Sequence, residues 1–585
     1  MMRVDTMRTK INVTAGSVAD RHMADGLATG DVAGGASCGA ANMGCDERGN
    51  GLLGKVWWHA IARPDTPAFR SLGEEPTSYS QLWDLSTRLV AAISTACDDR
   101  SPIMVLGPKS ALTVASFLAC LRSGHAYVPI DDATPAKRVN DIAEQLAAGR
   151  ADAARPTVVV SADASALDAG IDLTGAIDAK AVCDPTACDK SRSPESVAPT
   201  APQLAEGERS SWVSGEETQY IIFTSGSTGR PKGIEVSAGD VDNFMGWMET
   251  FPVVRDGGRT FLDQAPYSFD LSEFELVGAL ATGGCLYALS REAAHDYGLL
   301  FRELADSRAD VWVSTPPFAD LCLVDGSFGH DLLPQLCLFL FCGDTLTHRT
   351  ASNLRERFPQ ARVANTYGPT ESTVAVTYCE IDDGMLANPC ALPVGRPRPG
   401  TELHVMRSAA PEGAFIEECR AGESGEIVIS GDTVAKGYFN DAEKSAFAFG
   451  EATLADGRHV RTFRTGDIGH LDESGMLHYE GRMGSLVKVN GFRIELGDVE
   501  NHLSALAGIK CAAVVPVMRE GRASALRAFV VLDHEDAGAN ETPRAIRERL
   551  GRCIPSYMVP RSVRLLERMP LTSNAKIDRK QLMAS

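Results

Sequence analysis

Apolar and polar positions fall into short blocks of two kinds. Residues 78–94, SYSQLWDLSTRLVAAIS, space their apolar side chains at helical intervals, and PIMVLG at 102–107 follows as an apolar run ending in glycine, which reads as a strand. ALTVASFLACLRSG at 111–124 predicts a second helix closed by Gly124, and HAYVPID at 125–131 a second strand. This alternation predicts α/β layers. It resumes at QYIIFT (219–224) and runs densely to about residue 479, with CLFLFCG (337–343) as a buried strand. In the last hundred residues, CAAVVPV (511–517) and LRAFVVL (526–532) predict strands. TPRAIRERLGRCI (542–554) predicts a helix with Thr542 as N-cap and Pro543 at its first position.

Two stretches break the pattern. Residues 1–50 contain no Phe, Trp or Tyr and are rich in Gly, Ala and Asp, so they read as a flexible extension without a core. Residues 150–211 also lack aromatics; TVVVS (157–161) reads as one strand and the remainder as a long surface insertion. Glycines 481 and 484 bracket a polar turn. The expected organisation is an extension at 1–50, a large domain at 52–481, a hinge at 482–485 and a small domain at 486–585.

Composition narrows the function classes. Lys plus Arg number 57 against 77 for Asp plus Glu, a formal charge of −20. Nucleic-acid binding rests on neutralising phosphates with basic side chains, so this charge argues against that class, short of a small basic pocket. No run approaches the ~18 apolar residues that span a bilayer. The N-terminus lacks a signal-peptide core. The 15 cysteines include no CxxC pair, so zinc-ribbon spacing is absent and the thiols are expected to be reduced. The expectation is a cytoplasmic enzyme that does not span a membrane.

The densest chemistry is TSGSTGRPKG at 224–233, directly after the strand YIIF. Its backbone N–H groups, its hydroxyls, Arg230 and Lys232 can face a polyphosphate. It is not a P-loop, because Pro231 precedes the lysine and Gly233 follows it. The string resembles the phosphate-binding loop of the adenylate-forming enzymes, the family of amino-acid adenylation domains, acyl-CoA synthetases and luciferases. The resemblance continues in order through HAYVPID (125–131), NTYGPTE (365–371), GEIVIS…VAKGY (425–438), RTGD (464–467), GFRIELGDVE (491–500) and LTSNAKIDRK (571–580). It covers roughly residues 52–585. It implies a large N-terminal α/β domain with a smaller, mobile C-terminal α+β domain, and a reaction that uses ATP and Mg²⁺.

The resemblance implies ATP binding by Thr224, Ser225, Gly226, Ser227, Thr228, Gly229 and Lys232 of the loop, and by Asn365, Thr366, Tyr367, Gly368, Pro369 and Thr370 of the adenine-binding turn. Tyr367 offers a flat ring for adenine, while Gly368 and Pro369 fix a tight turn. Glu371 is a hard oxygen ligand suited to Mg²⁺. Asp467 can accept two hydrogen bonds from the ribose diol, and Tyr479 and Arg482 of YEGR complete the nucleotide site. Lys576 is the implied catalytic residue and touches both ATP and the acid. A carboxylate is already ionised at pH 7, so the task is to bring it against an anionic nucleotide by positioning and charge neutralisation.

SFDLSEFELVGALATGG (268–284) bears on the acid. In amino-acid-activating relatives the Asp of this FD pair holds the substrate ammonium, here Asp270. Asp270 followed by Glu273 also fits a capping box for the next helix, and the two roles are compatible. DQAPYSFDLS, VWVSTPPF, FLFCGDTL and NTYGPTESTVAV together resemble one branch, the ligases that activate D-alanine and load it onto a separate phosphopantetheinylated D-alanyl carrier protein for teichoic and lipoteichoic acid D-alanylation. That branch implies a small pocket involving Cys342, with Val374 near the amine. Three features depart from the family: Gly484 where the hinge usually has Asp, Ala575 where glycine is usual, and the two anomalous stretches. The alternatives are a stand-alone adenylation enzyme for another small amino acid, then an acyl-CoA synthetase, and a non-catalytic nucleotide-binding scaffold.

Overall fold

Ser78 starts the first long helix, Tyr79–Ala96, through a reciprocal capping box: its hydroxyl accepts from Gln81 N, and its own N–H donates to Gln81 Oε1 at 2.8 Å. The helix buries Leu82, Trp83, Leu89 and Ile93 along one face. The strand Ile103–Gly107 follows, then the helix Ala111–Arg122 capped by Ser110, then the strand Tyr127–Asp131, matching the expected alternation. The protein is seen here in a computed structural model. It describes residues 51–585 apart from 98, 149–155, 162–166, 185–207, 226–229, 295, 389, 409–414, 455–456, 483–485, 520, 533–541 and 571–576. The 1–50 extension, Gly226, Ser227, Thr228, Gly229, Gly484, Ala575 and Lys576 lie outside the described residues.

Two large sheets carry the N-terminal part. A seven-stranded sheet runs through Tyr127–Asp131 and Ile103–Gly107, and a nine-stranded sheet through Thr260–Asp263, Val311–Ser314 and Leu338–Phe341. Their central strands are parallel and fully buried, so they appear in the sequence as unbroken apolar runs rather than alternations. Helices Tyr79–Ala96, Ala111–Arg122, Ala238–Met248 and Ser272–Thr282 share the main core with strands of both sheets. A six-stranded antiparallel sheet follows, built on Gly425–Gly431 and His459–Leu471. A five-stranded sheet drawn from strands between residues 486 and 565 forms the C-terminal part, with the expected helix at Pro543–Gly551 capped by Thr542.

Part of 150–211 departs from the expected surface loop. Ile177–Asp178 pairs in parallel with Val158–Val160 and adds an edge strand, and Leu167, Ile171 and Cys183 are buried. Small aliphatic side chains suffice to cover a sheet edge, so the lack of aromatics is a poor guide there. At the far end of the stretch, Glu208 forms an ion pair at 2.6 Å with Arg122, which is itself buried against Trp83.

The carboxyl ends of the parallel strands converge on one cleft. Leu338–Phe341 delivers Cys342 and Gly343, Arg362–Tyr367 delivers the turn 368–374, and Thr260–Asp263 leads to Ser268–Leu271. Ligand sites in open α/β sheets form outside these strand ends.

Candidate active site

Glu371 is the most enclosed charge in the cleft wall. It sits in a short 3₁₀ turn, Thr370–Ser372, with no exposed surface. Lys232 Nζ donates to Oε1 at 3.2 Å, Tyr438 OH donates to Oε1 at 2.9 Å, and Arg493 Nη1 donates to Oε2 at 2.6 Å. Burial alone would raise the pKa of this carboxyl, but Arg493 and Lys232 outweigh it and hold Glu371 far below the usual carboxylate range. Burial, with Arg493 nearby, pushes Lys232 down to about 8.

Asp467 and Arg482 face each other across adjacent strands, with an ion pair of 3.1 Å from Asp467 Oδ1 to Arg482 Nη1. Asp467 Oδ2 accepts from Tyr367 OH at 2.6 Å, whereas buried Oδ1 receives no hydrogen bond among the described residues. Both Asp467 oxygens are thus faced by protein groups, Oδ1 by the Arg482 guanidinium and Oδ2 by the Tyr367 hydroxyl, at the edge of the cleft. The Tyr367 ring does not line the cleft; it packs against Tyr479 at 5.9 Å, and Lys488 Nζ lies over both rings at 5.9 and 5.6 Å. Asn365 and Thr366 also turn inward, donating to Pro393 O and Phe341 O. Of the adenine-binding turn, Gly368, Pro369 and Thr370 line the cleft. A Cβ on Gly368 would lie 2.5 Å from Ala375 Cα, so glycine is required there.

Asp270 lines the cleft, is 7% exposed and forms no ion pair among the described residues. Burial is the main cause that pushes it up to about 7; its Thr370 hydrogen bond opposes the rise and the Glu371 charge adds to it. The capping-box reading is overturned. The helix Ser272–Thr282 has Leu271 as N-cap with no side-chain cap bond, and Asp270 contributes its backbone carbonyl, which accepts from Glu273 N at 2.9 Å. One turn on, Glu273 accepts from Tyr127 OH at 2.7 Å through Oε1, leaves Oε2 without a partner, and is pushed up to about 7 by burial.

Cys342 Sγ lies 3.8 Å from Val374 O, and both residues line the cleft beside Asp270. Thr373 and Val374 have φ of 54° and 68°, unusual for β-branched residues. A buried network supports this strained loop: Arg398 donates to Thr433 Oγ1, which donates to Ser372 O, while Thr373 Oγ1 donates to Thr433 O.

The hairpin formed by Leu486–Val489 and Phe492–Glu495 closes the cleft and supplies the residues that sequence reasoning missed: Lys488, Gly491, Phe492 and Arg493. Ser225 Oγ donates to Arg493 O at 3.0 Å and accepts from Glu495 N at 3.1 Å. Gly491 N donates to Asp344 Oδ2 at 3.2 Å, and a Cβ on Gly491 (φ +88°) would lie 2.0 Å from Thr315 Cγ2. Phe492 meets Phe269 at 5.3 Å and stacks on Tyr557 at 4.2 Å. Arg522 pairs with Asp320 at 2.6 Å. Thr224, Asp270, Cys342, Gly368, Pro369, Thr370, Val374, Asp467 and Arg482 are thus brought to one cleft, with Lys232 and Glu371 in its wall. Ile577, next to Lys576 in the chain, packs against the face of the small domain that carries Val515 and Phe529.

The family model described as AMP-binding enzyme matches residues 56–439, and the AMP-binding enzyme C-terminal domain matches residues 498–576. A Bacillus licheniformis protein named D-alanine--D-alanyl carrier protein ligase is 38% identical over 537 residues, covering 91% of this chain and 98% of the relative. A Bacillus velezensis protein of the same name is 36% identical over 535 residues, covering 91% and 98%. The solved structure of an NRPS protein containing adenylation and PCP domains, bound to a vinylsulfonamide inhibitor, aligns with a TM-score of 0.70 at 26% identity, covering 92% of this chain and 84% of that one. A Vibrio cholerae adenylation domain in complex with glycyl-adenosine-5'-phosphate also aligns at 0.70, covering 94% and 100%; at 22% identity it speaks for the fold alone.

Proposed function

The chain belongs to the AMP-binding enzyme family, and from that premise we propose that it activates D-alanine with ATP and transfers the D-alanyl group to the phosphopantetheine thiol of a separate carrier protein. The observation that carries the amino-acid reading is Asp270, a buried cleft carboxyl with no ion-pair partner among the described residues. A substrate ammonium supplies the missing cation and favours the ionised carboxylate. Cys342 and Val374 line the cleft beside it and are proposed to face the substrate methyl group. D-alanine and the carrier protein are named by the Bacillus relatives, and destination in teichoic acid follows from that reading.

In the first half-reaction a D-alanine carboxylate oxygen attacks the α-phosphorus of ATP, the bond to the bridging oxygen breaks, and pyrophosphate leaves. Asp467 and its ion-pair partner Arg482 are proposed to receive the ribose diol, while Thr224, Ser225 and Lys232 face the phosphates. Lys576 is proposed to bridge the substrate carboxylate and the α-phosphate. Glu371 fits a Mg²⁺ ligand, being a hard carboxylate kept ionised by its surroundings. Mg²⁺ bound there supplies charge neutralisation on the pyrophosphate.

In the arrangement seen here, Arg493 covers Glu371 Oε2 and strand Phe492–Glu495 occupies the Ser225 hydroxyl. Two groups wanted by the phosphate end of ATP are therefore engaged by one small-domain strand. This supports assigning the arrangement to the stage after pyrophosphate has left, when the carrier thiolate attacks the acyl carbon and AMP departs. The proposal includes a cytoplasmic setting, and no helix among the described residues is long and apolar enough to cross a membrane.

The test is to incubate the protein with ATP, Mg²⁺, a phosphopantetheinylated D-alanyl carrier protein and D-alanine, L-alanine or glycine, and to read carrier mass. Loading with D-alanine above the others supports the proposal; an unmodified carrier despite adenylate formation would contradict the transfer step.

A further inference from the structure

A second group of chemistry-bearing side chains lies away from the cleft. Cys97 follows the last turn of helix Tyr79–Ala96, with its N–H bonded to Ile93 O at 2.8 Å. Asp99 lies in the turn beyond. His125 stands at the entrance to strand Tyr127–Asp131, just after Gly124, whose φ of +87° turns the chain back from the preceding helix. One potential ligand atom from each of the three residues lies within 4.8 Å of the others. The active-site chemistry uses none of them.

The surroundings are those of a ligand set. His125 is 2% exposed, and its Nδ1 is 2.8 Å from Ser101 O. A ring N–H donated to a carbonyl fixes the tautomer and leaves the lone pair on Nε2, the support that metal-binding histidines receive. Asp99 Oδ1 accepts from Ser101 N at 2.9 Å and from Ser101 Oγ at 2.5 Å, which orients the carboxylate. Cys97 Sγ lies 3.2 Å from that same oxygen. Ser101 thus fixes both other ligands, through its carbonyl and through its N–H and hydroxyl.

The geometry points to Cys97, Asp99 and His125 as a site for one thiophilic divalent cation of the zinc class. Thiolate, imidazole and carboxylate together are a borderline-soft set that suits Zn²⁺ and not Mg²⁺. Metal–ligand bonds of ~2.0–2.3 Å in tetrahedral geometry put neighbouring ligand atoms about 3.4–3.6 Å apart. Cys97 Sγ and Asp99 Oδ1, 3.2 Å apart, are already near that spacing, and all three ligand atoms lie within 4.8 Å of one another. On binding, the thiol proton leaves to solvent and the sulfur–metal bond forms. Three protein ligands leave a fourth position for water. None of the three residues lines the cleft, so the ion acts outside adenylation. It joins the turn after one helix to the start of a core strand.

The experiment uses the full chain stripped of metal, with Zn²⁺ and Co²⁺ as probes. Iodoacetamide labelling of Cys97 is followed by peptide mass spectrometry with and without Zn²⁺, and Co²⁺ binding by its thiolate charge-transfer absorption. The expected result is protection of Cys97 by Zn²⁺ at least tenfold in rate, lost in His125→Gln, with one Co²⁺ fewer per chain in Cys97→Ser. Cys97→Ser replaces a half-buried side chain and is expected to keep ATP–pyrophosphate exchange, which separates failure of this site from failure of the proposed activity. Equal Cys97 labelling with and without Zn²⁺, or equal Co²⁺ content in wild type and Cys97→Ser, would overturn the assignment.

Discussion

Replacing Arg493 with alanine is expected to separate the two half-reactions. Arg493 Nη1 and Glu371 Oε2 are 2.6 Å apart, Glu371 has no exposed surface, and the Arg493 side chain is 11% exposed. Removing one member of a buried pair costs about 3–5 kcal/mol, because the other charge is left without its partner. Glu371 keeps Lys232 and Tyr438, so the lower end applies, about 3 kcal/mol. That loss falls only on the arrangement in which the hairpin meets Glu371. At about 1.4 kcal/mol per decade it lowers the population of that arrangement by roughly 100-fold. Adenylate formation, read by ATP–pyrophosphate exchange, is expected to stay within about threefold of wild type, whereas single-turnover transfer from preformed D-alanyl adenylate to the carrier falls about 100-fold. Arg493→Lys keeps a cation but not the planar guanidinium that places Nη1 on Oε2, and is expected to fall between the two. Equal losses in both half-reactions would refute the reasoning, as would an Arg493→Ala enzyme with normal transfer.

Asp270→Asn is expected to raise KM for D-alanine tenfold or more with KM for ATP and Tm little changed, since the ammonium loses its counter-charge; steady-state kinetics beside a melting curve decide it. Because burial pushes Asp270 up to about 7, the carboxylate is lost below that pH, and the wild-type KM for D-alanine is expected to rise about tenfold per pH unit between 7 and 5. Glu273 is likewise pushed up to about 7 in the fold, against about 4.3 when unfolded. The folded state binds the extra proton, so the stability this confers is present below about pH 4 and is lost as pH rises through 7; Glu273→Gln is expected to flatten the fall of Tm between pH 5 and 8, and an unchanged slope counts against it. Lys576→Ala is expected to abolish pyrophosphate exchange without lowering Tm, and near-normal exchange in the folded variant removes Lys576 from the mechanism.

Much of the fold was legible because its central strands are buried on both faces and stand out as apolar runs, and because Ser78 and Thr542 cap their helices through local contacts. Part of the cleft was legible for the same reason: its walls at 342–343 and 368–374 are loops that directly follow strands of the nine-stranded sheet. What stayed hidden depends on contacts distant in sequence. Arg493 meets Glu371 across 122 positions, so GFRIELGDVE shows the start of a domain but not a cation that reaches a carboxylate in the other. Tyr367 has the right ring for stacking, but its hydroxyl is drawn to Asp467, 100 residues on, and turns the ring from the cleft. Asp270 and Glu273 have capping-box spacing, yet the helix begins at Ser272 and the Glu273 carboxylate turns to Tyr127, 146 positions away. The edge strand Ile177–Asp178 is two residues long, too short to show a period of its own.

The central claim is that Asp270, with Cys342 and Val374 beside it, selects D-alanine for adenylation. ATP–pyrophosphate exchange with separate D- and L-amino acids, glycine, and amine-free acids such as propionate and benzoate tests it most directly. The account predicts strong exchange with D-alanine, weaker exchange with glycine and L-alanine, and none with the amine-free acids. Exchange driven by propionate or benzoate, or by L-alanine in preference to D-alanine, would contradict it.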